Sequence, residues 1–105
     1  MIVYNVTVVV EPEIIEEWRV WMREVHLPEV LATGRFLSCS MFRIHSGNEG
    51  EAPSFSIQYQ AATYGDYEAY LANEAPALKQ KTLDRYGEKV LAFRTILEHV
   101  ETLHP

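Results

Sequence analysis

The chain has 105 residues, of which 48% are hydrophobic and 23% charged, proportions that suit one globular domain, residues 1–105, with a modest core. Fifteen acidic residues against nine basic ones leave a net charge of −6, which argues against a nucleic-acid partner because no basic stripe is present to meet a phosphate backbone. No apolar run nears the ~20 residues a membrane span requires.

Ile2 to Val10 is rich in β-branched residues and reads as a strand. Ile2, Tyr4, Val6, Val8 and Val10 share an apolar face, and Val3, Asn5, Thr7 and Val9 share a mixed one. Glu11-Pro12-Glu13 opens a helix, with proline and acids where the first turn favours them. Steps of ~100° then gather Ile14, Ile15, Trp18, Trp21, Met22 and Val25 on one side, with His26 just past the edge. Pro28 is expected to end or kink that helix, a further turn runs from Glu29 to Thr33, and Gly34 caps it. A second strand is expected over Phe36–Ile44, with Phe36, Phe42 and Ile44 on one face and Leu37, Cys39 and Met41 on the other. A polar loop follows at Ser46–Pro53, and a third strand, Phe55–Ala61, completes a hairpin. Thr63 and Asp66 form a capping-box-like start for a second helix whose apolar stripe is Tyr67, Tyr70, Leu71, Leu78 and Leu83. Pro76 kinks or splits this helix, Gly87 ends it, and Val90–Val100 is a fourth strand.

The order is β-α-β-β-α-β: an α+β, ferredoxin-like fold with a four-stranded antiparallel sheet and two helices on one face. The other face is left bare, yet strands two and four carry apolar residues on both sides, and strand two is an unprotected edge from Phe36 to Phe42. A homodimer whose sheets close into an α+β barrel answers both problems.

The residues MIVYNVTV, Glu17-Trp18, Trp21-Met22, Glu24 to Val30, Thr33-Gly34, Ile57-Gln58-Tyr59, Arg85-Tyr86-Gly87 and Ala92 to Thr95 resemble an uncharacterised bacterial domain-of-unknown-function family within the dimeric α+β barrel superfamily. The resemblance spans nearly the whole chain and implies the fold; the family brings no activity. Wider relatives include cofactor-independent antibiotic-biosynthesis-type and haem-degrading monooxygenases, ring-processing isomerases and the EthD-like group. Trp21 followed by His26-x-Pro28 is similar to an element of that last group. Asn5 matches the first-strand asparagine of the haem-degrading group, but Trp18, Trp21 and His26 all sit on helix one, which departs from that group's arrangement.

His26 is the candidate general acid or base, because imidazole exchanges protons near neutral pH; the alternative is a helix-end histidine that satisfies free carbonyls. Trp18 and Trp21 either stack on a flat ligand or fill the core. Tyr59 and Tyr86 are candidate phenol donors or packing residues. Arg94, a charge within a strand, either pairs with Glu74 or holds a ligand carboxylate. Asn5, also a candidate ligand contact, is expected with Thr7, Gln58 and Thr95 to face the barrel interior as a polar network that serves dimer register or catalysis. Scattered histidines without ligand spacing point to no metal, and the absence of a phosphate loop or nucleotide fingerprint points to no cofactor. Cys39, the lone cysteine, suits core packing in a reducing compartment, and with no leader pattern at the start the expected location is the cytoplasm. Three activities remain: binding a small apolar or aromatic molecule between helix one and the sheet, cofactor-independent enzymology with His26 as proton shuttle, and a non-catalytic structural or protein-interaction dimer.

Overall fold

The computed structural model describes residues 1–45 and 52–105, so most of the polar hairpin loop expected at Ser46–Pro53 lies outside the described residues. The strands are β1 (Ile2–Val10), β2 (Ser38–Ile44), β3 (Ser54–Ala61) and β4 (Val90–Glu98). They form one antiparallel sheet in the order β2-β3-β1-β4, so β2 and β4 are its edges. Two helical arms cross over it. The first comprises a 3₁₀ turn at Pro12–Ile14, α1 (Ile15–Trp21), a π-helical turn at Met22–His26 and α2 (Leu27–Ala32). The second comprises α3 (Tyr64–Asn73) and α4 (Ala75–Tyr86). This is the α+β, ferredoxin-like arrangement.

Register decides which face is buried. Ile2, Tyr4, Val6 and Val8 stand opposite Ala61, Tyr59, Ile57 and Phe55, so these side chains share one face. Both helical arms pack there, contributing Trp18, Trp21, Met22 and Val30 from the first and Tyr67, Tyr70, Ala75, Leu78 and Tyr86 from the second. Trp18, Ile57, Val10 and Val30 are the largest side chains sealed from solvent. An aromatic cluster joins the two layers: Tyr4 lies 5.7 Å from Tyr59 and 5.2 Å from Tyr67, and Phe36 meets Tyr70 edge-on at 4.8 Å.

The prolines act as their chemistry requires. Pro28 does not end the first arm. The Leu27 N–H reaches back five residues to the Met22 carbonyl, and the widened turn accommodates a proline that has no N–H to offer. The extra residue in that turn shifts the helical phase, so Val25, expected on the inward stripe, is exposed while Val30 is sealed. The second arm splits at Glu74, with Pro76 in the first turn of α4. Glu74 is held there by Arg35, whose Nε lies 3.2 Å from both carboxylate oxygens and whose Nη2 lies 3.0 Å from Oε1. Thr63 caps α3, its Oγ1 accepting the Asp66 N–H at 3.2 Å. Gly34 and Gly87 adopt φ of +77° and +56° just beyond their helices, as C-terminal caps do.

Two further face assignments change. Phe36 precedes β2 and is buried in the aromatic cluster, so it does not share the side of Phe42 and Ile44; strand alternation begins only at Ser38. Leu83, read as core stripe, is exposed. The open face of the sheet carries Leu91, Phe93 and Leu97 on β4 and Phe42 and Ile44 on β2, all exposed. Between these flanks lies a polar strip: Asn5 Nδ2 donates to Thr7 Oγ1 at 3.2 Å, Ser56 Oγ donates to Asn5 Oδ1 at 2.5 Å, and Gln58 Nε2 reaches Ser56 Oγ at 3.4 Å. Among the described residues no helix is long and apolar enough to cross a membrane.

Candidate functional site

The helical arms leave edge strand β4 uncovered, and a cavity of about 270 Å³ opens there between α4, the π turn and the sheet. That volume is just below the usual range for small-molecule sites, about 300–1,000 Å³. Its floor is apolar, made by Val6, Val8 and Ile57 of the sheet with Trp18 and Met22 of the first arm. Its polar groups come from six elements: Tyr4 from β1, Tyr59 from β3, His26 from the π turn, Tyr70 from α3, Lys79 and Thr82 from α4, and Arg94 from β4. Among the described residues no aspartate or glutamate lines it. Among the described residues no group of side chains is placed to hold a metal ion.

The expected site residues divide into three groups. Trp18, His26, Tyr59 and Arg94 all border the cavity. Trp21 and Tyr86 stand behind it. Trp21 stacks on His26 with ring centroids 5.0 Å apart and planes 20° apart, and Tyr86 meets Trp21 edge-on at 5.5 Å. Arg85 sits over both rings and donates from Nε to the Tyr86 hydroxyl at 3.1 Å, so this pair forms a buttress for the imidazole. Asn5 is on the opposite face of the sheet, within the polar strip. Arg94 does not pair with Glu74, which is engaged by Arg35; instead Arg94 Nε donates to the Tyr4 hydroxyl at 2.9 Å.

His26 is not at a helix end, since the helical chain continues to Ala32, so it caps no terminal carbonyls. Its Nδ1 is buried and is the one such side-chain atom without a hydrogen-bond partner among the described residues. Burial pushes its pKa below 6.5, with Glu29 opposing and Lys81 reinforcing the shift. Its neutral form is therefore favoured at pH 7, and that form can accept a proton. The phenols are different: burial drives Tyr59, Tyr70 and Tyr4 upward, so they remain protonated and serve as donors, not bases.

The lowered His26 pKa has a consequence for stability. Above pH ~6.5 the imidazole is neutral in both the folded and unfolded chains. As the pH falls below that value the unfolded chain binds the proton first, and the folded state loses the stability that the neutral ring contributed. Urea midpoints between pH 7.5 and 5 should therefore fall further for the native protein than for His26→Gln. Parallel midpoints would show that the imidazole is not desolvated.

Lys79, Thr82 and Tyr70 were not singled out by residue chemistry. Lys79 is one of four basic residues between Pro76 and Val90, with Lys81, Arg85 and Lys89. In the fold Lys81 pairs with Glu29 at 2.8 Å and Arg85 with Glu17 at 3.0 Å, whereas Lys79 borders the cavity. The spacing of 79, 82, 83 and 86 along one helical side was the available signal.

The fold has counterparts among solved structures. An EthD (ethyl tert-butyl ether D) family protein from Bacillus halodurans superposes with a TM-score of 0.67 at 17% identity, over 95% of this chain and 100% of that one. A dimeric ferredoxin-like protein from an uncultured marine organism gives 0.67 at 17% identity, over 97% of each chain. A candidate antibiotic biosynthesis monooxygenase from Deinococcus radiodurans gives 0.62 at 17% identity, over 100% and 98%. At these identities the likeness concerns the fold. No curated protein matches the sequence. The sequence profile of DUF4286, a domain of unknown function, matches residues 1–100, and the chain belongs to that family.

Proposed function

We propose that this protein is a cytoplasmic homodimer that binds a small apolar or aromatic molecule in the cavity between its helical arms and the sheet. The observation that carries the reading is the cavity itself: apolar floor, neutral imidazole and phenols at its wall, and an opening left by uncovered β4. Trp18 and Tyr59 shape the pocket, and Trp21 and Tyr86 hold His26 in place. Asn5 belongs to the open sheet face, where a second copy would pack. Dimerisation is supported by the exposed apolar flanks of that face and by the structural relative described as dimeric. The lone cysteine, half-buried and pushed up in pKa by burial, fits a reducing compartment.

A second reading, cofactor-independent catalysis with His26 carrying a proton, is favoured by the unpartnered Nδ1 beside the cavity.

Native mass spectrometry of gently purified protein tests the first reading. A dimer carrying one small molecule per subunit is expected. Ala92→Trp, which fills the cavity from exposed β4, should remove that extra mass while leaving the dimer intact. A dimer with nothing bound, in both proteins, would return the protein to an interaction role.

A further inference from the structure

Arg94 and Lys79 are the cations that border the cavity, one from β4 and one from α4, and they are close enough that Arg94 helps to lower the Lys79 pKa, after burial. Like charges gathered at a site are unfavourable unless something between them is negative. The acids elsewhere in this acidic protein do not supply it. Among the described residues the ion pairs engage Arg23, Arg35, Lys81 and Arg85, and neither Arg94 nor Lys79 meets a carboxylate. Arg94 is also oriented. Its Nε is fixed on the buried Tyr4 hydroxyl at 2.9 Å, while its two terminal nitrogens have no hydrogen-bond acceptor among the described residues. A guanidinium tethered by Nε presents the remaining edge as a planar donor pair, the shape that meets a carboxylate.

We infer that the occupant of this cavity is a carboxylate-bearing apolar molecule, its ring or chain on the floor of Val6, Val8 and Ile57 and its carboxylate between Arg94 and Lys79. The inference rests on the cavity reading above and adds the anionic group to it. Tyr4 is a positioning residue, acting through the guanidinium that it holds.

Two probes of equal shape separate charge from fit: 2-naphthoate and its neutral counterpart 2-naphthamide, titrated calorimetrically against the native protein, Arg94→Gln and Lys79→Met. Both substituted side chains are exposed, so the fold should tolerate the changes. The native protein is expected to bind the carboxylate about tenfold or more tightly than the amide, a margin suited to a charge-assisted pair. Each variant should erase most of that preference by weakening the carboxylate far more than the amide, and Arg94→Lys should retain part of it. Equal binding of the two probes by the native protein, or a preference that survives in both variants, would overturn the carboxylate assignment and leave the cavity reading standing. Failure of both probes to bind at millimolar concentration would overturn the assignment together with the cavity reading.

Discussion

Replacing Trp18 with alanine is expected to destabilise the protein by about 3–5 kcal/mol, a large share of the ~5–15 kcal/mol that holds a domain of this kind together. Trp18 is only 1% exposed and lies 5.0 Å from Phe55, at the junction of the first helical arm and the sheet. Truncation would remove the transfer free energy of an indole. It would also extend the existing cavity into the core, and the sheet floor beneath, braced by register on both sides of β1, has little freedom to collapse. Trp21→Ala should also destabilise, by a smaller amount, because its ring stacks on a half-buried histidine near the surface instead of on the sheet. Urea denaturation of both variants checks the order. A loss below about 1 kcal/mol for Trp18→Ala would mean that the indole is a movable wall of the pocket and not part of the core.

Phe93→Glu is expected to convert a dimer into monomers, weakening self-association by about 2–5 kcal/mol, or roughly thirty-fold to several thousand-fold in Kd. Phe93 is 60% exposed on the open face, flanked on the same strand by Leu91 and Leu97, with Thr7 opposite it on β1. A ring so placed in a monomer would be an idle apolar surface; in the proposed dimer it lies under the second sheet. A carboxylate there would be buried against the same face of a second copy, whose strands offer, among the described residues, hydroxyls and amides but no cation. Because the side chain contributes nothing to the core, the monomer should keep its fold. Sedimentation velocity at micromolar concentration reads the outcome directly. Native protein that sediments as a monomer, or a variant that remains dimeric, would refute a dimer built on this face.

The sheet and both arms were legible in the sequence because two simple periods govern them. Alternation in Ile2–Val10 named the buried face residue by residue, and Thr63, Gly34, Pro76 and Gly87 marked helix ends by rules that depend only on neighbouring atoms. What escaped was where a period breaks. Phe36 has the strand parity of Phe42, yet it falls before the ladder starts and turns inward. Val25 lies on the helical stripe by count, yet the widened turn rotates it outward. The site was legible in part. His26, Trp18, Tyr59 and Arg94 stood out as unusual residues in apolar surroundings, whereas Lys79 looked ordinary and acquires its place only because α4 lies across the sheet from Arg94. The partner of Glu74 was equally hidden: Arg35 and Arg94 are both plausible by charge, and only the path of the chain before β2 selects the first.

The five-residue turn at Met22–His26 also sets where this arm can change length. Flanking helical segments on either side of such a turn keep their own orientations, as two screws joined by a loose thread would. A chain one residue shorter within the turn would still present both Trp18 and Val30 inward, at the expense of setting Pro28 against the carbonyl of Glu24. One residue lost from α1 or α2 would swing one of those two anchors about 100° around the axis. The one residue this arm can lose without turning either anchor outward therefore lies in the stretch that carries the imidazole, and the scaffold and the pocket wall draw on the same spare residue.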